Sequence, residues 1–189
     1  MLPQDALSFP DSAAFAAWLE KHHDTAEVLW LKIYKKGSGV PSLDWNDCVI
    51  EALCWGWIDG QKKSLDESAY LQRLTPRRAK SAWSKRNVDH VEKLISQGRM
   101  QPSGMAHVRA AKADGRWDAA YAGGADFEIP KDFLDALDKS PKARAKFDTL
   151  SRSALYAMYH QLHSAKKPET RVNRTAKMID RLARGEPPV

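Results

Sequence analysis

No apolar run in this chain approaches the ~20 residues needed to cross a bilayer. The opening Met1-Leu2-Pro3-Gln4-Asp5 carries neither the basic nor the apolar region of a secretory signal, so a cytoplasmic protein without membrane insertion is expected. Cysteine is scarce: Cys48 and Cys54 are the two present, and they have no CxxC spacing. Six residues apart on a helix they would point about 240° apart, which disfavours a disulfide between them and predicts two buried free thiols. GxSxG, GxGxxG, the P-loop and HExxH are all missing, which removes the common hydrolase, dinucleotide, NTPase and zinc-protease routes. His160 and His163 share a helical face, yet no ligand pattern surrounds them, and no metal or cofactor is expected. Repeats and low-complexity tracts are absent as well.

What is present is a chain of 189 residues, 43% hydrophobic and 29% charged, with a composition ordinary for a globular protein. Seven tryptophans offer unusually large apolar pieces to bury. The net charge of +6 is local. Residues 61–99 hold ten Lys/Arg against four Asp/Glu, so the other twenty basic and twenty acidic residues cancel. Concentrated charge mixed with aromatic and amide side chains points to an anionic partner more than to general solubility.

Hydrophobic periodicity predicts an α+β chain. Asp11-Ser12 caps a helix bearing Phe15, Trp18 and Leu19. Residues 27–36 alternate as a strand whose two faces are both largely apolar at the start, which predicts a central strand covered by helices. Residues 37–41 break into a loop, and Asp44 opens a second helix that ends near Trp55-Gly56. Residues 57–64 and 69–75 form two strands joined by Leu65-Asp66-Glu67-Ser68, giving a small, mainly antiparallel sheet. From Ser84 onward every segment reads helical. Helices close on Gly98, Gly115 and Gly185, and others open at Pro102, Pro130 and Pro141. On the last helix Val172, Ala176, Ile179 and Leu182/Ala183 form the stripe expected to be buried. The division falls in the Gly-rich stretch near Gly123-Gly124, giving residues 1–122 and 123–189, which could still pack as one unit.

The basic block offers the clearest candidate site. Thr75-Pro76-Arg77-Arg78 is a stiffened strand exit, so arginines there lose little freedom on binding, and their forks match carboxylate or phosphate oxygens. Arg73 shares a strand face with Leu71 and Thr75, whereas Tyr70 and Gln72 point the other way. Ser84-Lys85-Arg86-Asn87 adds the N–H groups of a helix start. Arg73, Arg77, Arg78, Lys85 and Asn87 therefore suggest an anion pocket, and the competing reading is an internal ion-pair set with Asp59, Asp66 and Glu67. Trp57 and Asp59 share a strand face and could line that pocket; equally, Trp57 belongs in the core. Arg174, Lys177, Arg181 and Arg184 share one face of the last helix, either as a phosphate-binding stripe or as a solvated face diluted by Asp180 and Glu186.

Three blocks, at residues 51–60, at 72–87, and at 163–171 (His-Ser-Ala-Lys-Lys-Pro-Glu-Thr-Arg), together resemble the YdeI/OmpD-associated family, also labelled bacteriocin-protection proteins. The resemblance spans nearly the whole chain. It implies a link to an outer-membrane porin and to resistance against bacteriocins or antimicrobial peptides, and it implies no reaction or catalytic residue. With the basic block, it leads to the expectation of a non-enzymatic binding protein for an anionic small molecule or an acidic protein surface. A nucleic-acid binder is the second reading. An enzyme acting on an anionic substrate through Asp59 is the third.

Overall fold

The computed structural model describes residues 5–189; residues 1–4, most of the stretch read above for a signal, lie outside it. The chain divides into two compact units, Met1–Ala120 and Tyr121–Val189. The fold is α+β, with the strands confined to the first unit and the second helical.

In the first unit Asp11 caps α1 (Ser12–His22), its Oδ1 accepting from the Ala14 N–H at 2.8 Å. Asp44 caps α2 (Trp45–Cys54) in the same way, through the Asp47 N–H at 2.9 Å. Three strands, β1 (Leu29–Tyr34), β2 (Trp57–Ser64) and β3 (Ala69–Pro76), form an antiparallel sheet in the order β1-β3-β2. The β2–β3 hairpin is tied by Asp66, which accepts from the N–H groups of Ser68 and Ala69, each at 2.8 Å. The β2–β3 register shifts between Asp59 and Lys62.

The strand order corrects the expectation that β1 is central. That place belongs to β3, and β1 is outermost in the named sheet, bridged on its far side, among the described residues, at Leu7–Leu31. Only one face of β1 is fully buried, the Leu29, Leu31 and Ile33 face, while Trp30, Lys32 and Tyr34 stay partly exposed. The two aromatics made the outward face look apolar in sequence. On the inward face, Leu29, Leu31, Ile33, Leu74 and Trp57 pack with Phe15 and Leu19 of α1 and Cys48 and Ala52 of α2.

A second cluster joins α2 to α3 (Lys85–Ser96) and α4 (Pro102–Ala113), through Val49, Leu53, Val91, Leu94, Val108, Trp83 and Trp117. Here α4 approaches the end of α2 backbone to backbone. The Gln101 N–H donates to the Cys54 carbonyl at 3.0 Å, and the Ser103 hydroxyl to the Trp55 carbonyl at 3.0 Å.

Both cysteines are buried free thiols. Burial pushes the Cys54 thiol up to about 11 and raises that of Cys48 further, so neither forms a thiolate readily near neutral pH. Native protein at pH 8 should therefore leave a thiol reagent such as DTNB almost unconsumed, and unfolding in guanidinium should release two equivalents. Rapid labelling of the native protein would contradict the packing of α2.

The second unit packs α5 (Lys131–Leu137), α6 (Pro141–Phe147), α7 (Arg152–His163) and α8 (Pro168–Ala183) around Phe133, Leu137, Met158, Leu162, Met178 and Leu182. The stripe predicted to be buried on α8 is corrected in part, since its Leu182 is fully buried and its Ile179 packs against the same cluster. Met178 and Leu182 face the core, Val172 is 65% exposed, and Ala176 and Ala183 are exposed too. Arginine stems and heads set this rotation. Arg171 binds Asp132 and the Leu162 carbonyl, and Arg174 binds the Gln161 carbonyl and the Ser164 hydroxyl. The displaced stripe lines an open groove of about 640 Å³ with Asp132, Ala136 and Ser140.

Candidate functional site

The outer face of the sheet gathers cations without acids. Directly paired residues on adjacent strands share a face, as do residues two apart along a strand. The register pairs Trp30 with Arg73, and both Lys32 and Lys63 with Leu71. Tyr34 pairs with Ala69, and Ile58 with Thr75. One face therefore carries Lys32, Lys63 and Arg73 around a buried Leu71, with Trp30 and Tyr34 among them, and all of these but Leu71 are partly exposed.

The lysines sit on the rings. Lys63 Nζ is 4.8 Å from the Trp30 ring centroid, and Lys32 Nζ is 4.5 Å from that of Tyr34. Exposed contacts of this kind are worth only about 0.5–1 kcal/mol each, so a ligand can displace them. No strand residue of this face is a carboxylate. Asp66, in the hairpin turn, acts only weakly on this face: hydrogen bonding to Tyr34, with smaller help from Asp66, raises the Lys32 pKa. Among the described residues Lys63 and Arg73 enter no ion pair. Sequence reasoning found Arg73 but missed Trp30, Lys32, Tyr34 and Lys63 as a set. The available signal was the aromatic-cation-aromatic alternation along β1.

The other predicted residues lie elsewhere. Trp57 is 1% exposed in the core, its indole N–H donating to the His23 carbonyl at 3.1 Å. Asp59 pairs in register with Leu74 and so lies on the inward face, across the sheet from Arg73. Burial raises its pKa; the Trp45 indole N–H and, less strongly, Arg77 and Arg86 act against that rise. Arg77 is 4% exposed, its guanidinium 3.6 Å from the Trp83 ring centroid, and Nη1 donates to the Ala82 carbonyl at 3.2 Å. Asn87 is buried in the first turn of α3, where its N–H meets the capping Ser84 hydroxyl at 3.2 Å.

Arg77 instead helps to fix the segment that follows it. The Arg78 N–H donates to the Ser81 hydroxyl at 3.1 Å, and Arg116 donates to the Ser81 carbonyl at 2.8 Å. Arg78, Lys80 and Lys85 are left exposed on this pinned segment. Of the competing ion-pair set with Asp59, Asp66 and Glu67, Asp59 feels Arg77 and Arg86 and Asp66 is engaged in its own turn, while Arg73, Arg78 and Lys85 enter no ion pair among the described residues.

Arginines of the C-terminal stripe are partly consumed. Arg184 pairs with Asp180 and Glu186, and Arg181 approaches Glu186 at 3.8 Å. His160 and His163 pack against Tyr121 edge-on, and His163 also against Tyr159. Among the described residues no group of three or more His, Cys, Asp or Glu is placed to hold a metal, and no helix is long and apolar enough to cross a membrane.

Residues 7–107 match the family described as a domain of unknown function (DUF8412). Residues 126–185 match the family described as bacteriocin-protection, YdeI or OmpD-associated. The second match contains the block at 163–171, whereas the blocks at 51–60 and 72–87 fall within the first, so the YdeI/OmpD-associated resemblance is confined to the C-terminal region. No curated protein and no solved structure matches the chain.

Proposed function

The chain belongs to the DUF8412 family, matched over more than half its length, and bears a YdeI/OmpD-associated region at its C-terminal end; from that premise we propose a non-enzymatic, cytoplasmic binding protein for an anionic ligand or an acidic partner surface. Its role is protection against bacteriocins or antimicrobial peptides, as the description of the C-terminal family suggests. The observation that carries the anion reading is the outer sheet face, where Lys32, Lys63 and Arg73 stand together with no strand carboxylate to neutralise them. Arg78 and Lys85, exposed on the pinned segment, are the candidates for extending the contact. Because the sheet holds these cations at fixed spacing, little side-chain and backbone freedom is lost on binding beyond the lysine stems themselves.

Inorganic polyphosphate serves as the probe. Arg73→Glu should weaken its binding at low salt by at least about tenfold, since one charge pair is both removed and reversed. Arg73 is only partly buried, so the thermal midpoint should move by no more than about 2 °C. Unchanged affinity in that variant would overturn the assignment of the face. In cells, the same variant should lose whatever tolerance to a bacteriocin the wild-type chain confers.

A further inference from the structure

We propose that the anionic ligand of the outer sheet face is a single-stranded nucleic acid, with bases stacked on Trp30 and Tyr34 and phosphates held by Lys32, Lys63 and Arg73. The proposal rests on the anion-binding reading and narrows it.

A simple anion has no use for aromatic rings, yet the outward positions of β1, where polar residues would ordinarily meet water, alternate Trp30, Lys32, Tyr34. The two aromatic residues lie four apart on a strand, a backbone rise of about 13 Å, with a cation between them. Arg73 on β3 is paired beside Trp30, and Lys63 reaches the same ring from β2. Each stacking platform thus has an ammonium or guanidinium at its edge or over its face. That is the arrangement by which single strands are held without sequence preference: base on ring, phosphate on the adjacent cation. In the free protein the lysines cover the rings; a bound strand gives each lysine a phosphate and gives each ring a base. Ile58, partly exposed and paired with Thr75, adds an apolar contact on the same face. A duplex fits poorly, because its bases are already stacked on one another and leave none free to stack on Trp30 and Tyr34.

The test is fluorescence anisotropy with a ten-nucleotide oligo(dT) or oligo(U), set against inorganic polyphosphate and a duplex of equal length. The wild-type protein should prefer the single strand to the duplex. With three cations engaged, log K should fall against log salt with a slope of about −2. Trp30→Leu and Tyr34→Leu, which keep apolar bulk on the face, should each weaken oligonucleotide binding by about tenfold or more and leave polyphosphate within twofold. Arg73→Glu should weaken both probes. If both ring variants leave oligonucleotide binding unchanged, or shift both probes alike, the nucleic-acid assignment is overturned while the anion reading stands. A preference for duplex overturns it too. If wild-type protein binds neither probe at low salt, the anion reading itself fails. Should Trp30→Leu fail to fold, Tyr34→Leu carries the same comparison.

Discussion

Gly104→Ala should lower the thermal midpoint by about 10 °C or more, the consequence of an overpacking penalty near 3 kcal/mol. Propensity alone argues for the opposite sign, because alanine is better than glycine inside a helix by up to about 1 kcal/mol. The contact decides. A Cβ at Gly104 would stand 2.2 Å from the Cys54 carbonyl oxygen and 2.9 Å from its carbon, and both belong to backbone rather than to a flexible side chain. The α4 backbone would have to lift away from α2, stretching the Gln101–Cys54 and Ser103–Trp55 hydrogen bonds that join them. Gly37→Ala is the control, since nothing lies within 4 Å of a Cβ there. A Gly104→Ala midpoint equal to or above wild type, measured by calorimetry, would contradict the close approach of α4 to α2.

Arg77→Ala should cost roughly 2–4 kcal/mol, far more than an exposed arginine warrants. The change removes a desolvated guanidinium stacked on Trp83, a contact worth about 2 kcal/mol when shielded from water. It also frees the Ala82 carbonyl and takes away a positive charge that favours ionised Asp59. The pH dependence follows from that last loss. Burial already raises the folded pKa of Asp59 above its unfolded value, so stability falls as pH rises from the unfolded pKa to the folded one and stays lower above it. Without Arg77 the pKa rises further. The destabilisation should accordingly be larger at pH 7 than at a pH well below the unfolded value of 3.8, where Asp59 is protonated folded and unfolded alike. Urea melts at the two pH values, with Arg78→Ala as the exposed comparison, measure this. Equal losses at both pH values would remove Asp59 from the account, and a negligible loss at both would mean that Arg77 is not a buried support.

Much of the fold was legible because its signals are local. Asp11, Asp44 and Ser84 cap the helices they were expected to cap, and the glycines after α3, α4 and α8 take positive φ. What misled was amphipathic. Trp30 and Tyr34 count as apolar in any periodicity, yet each can lie on an open face under a lysine, so β1 read as central when it is not. On α8 the arginines decided the rotation by reaching backbone carbonyls and Asp132, and no hydrophobic pattern records that. The candidate site was half readable. Local charge excess led to Arg73, but sequence cannot say which face of a sheet an irregular hairpin presents, nor that Arg77, two register positions after Thr75, would be buried against Trp83. Lys32 lies outside the basic block altogether and joins it only through strand pairing.

The most direct measurement is isothermal titration of inorganic polyphosphate at low salt into wild-type protein and into the triple variant Lys32→Glu, Lys63→Glu, Arg73→Glu, with thermal midpoints taken on the same preparations. The outer-face account predicts saturable binding by wild type and none by a triple variant that still unfolds cooperatively. Wild-type affinity retained by the folded variant would contradict it.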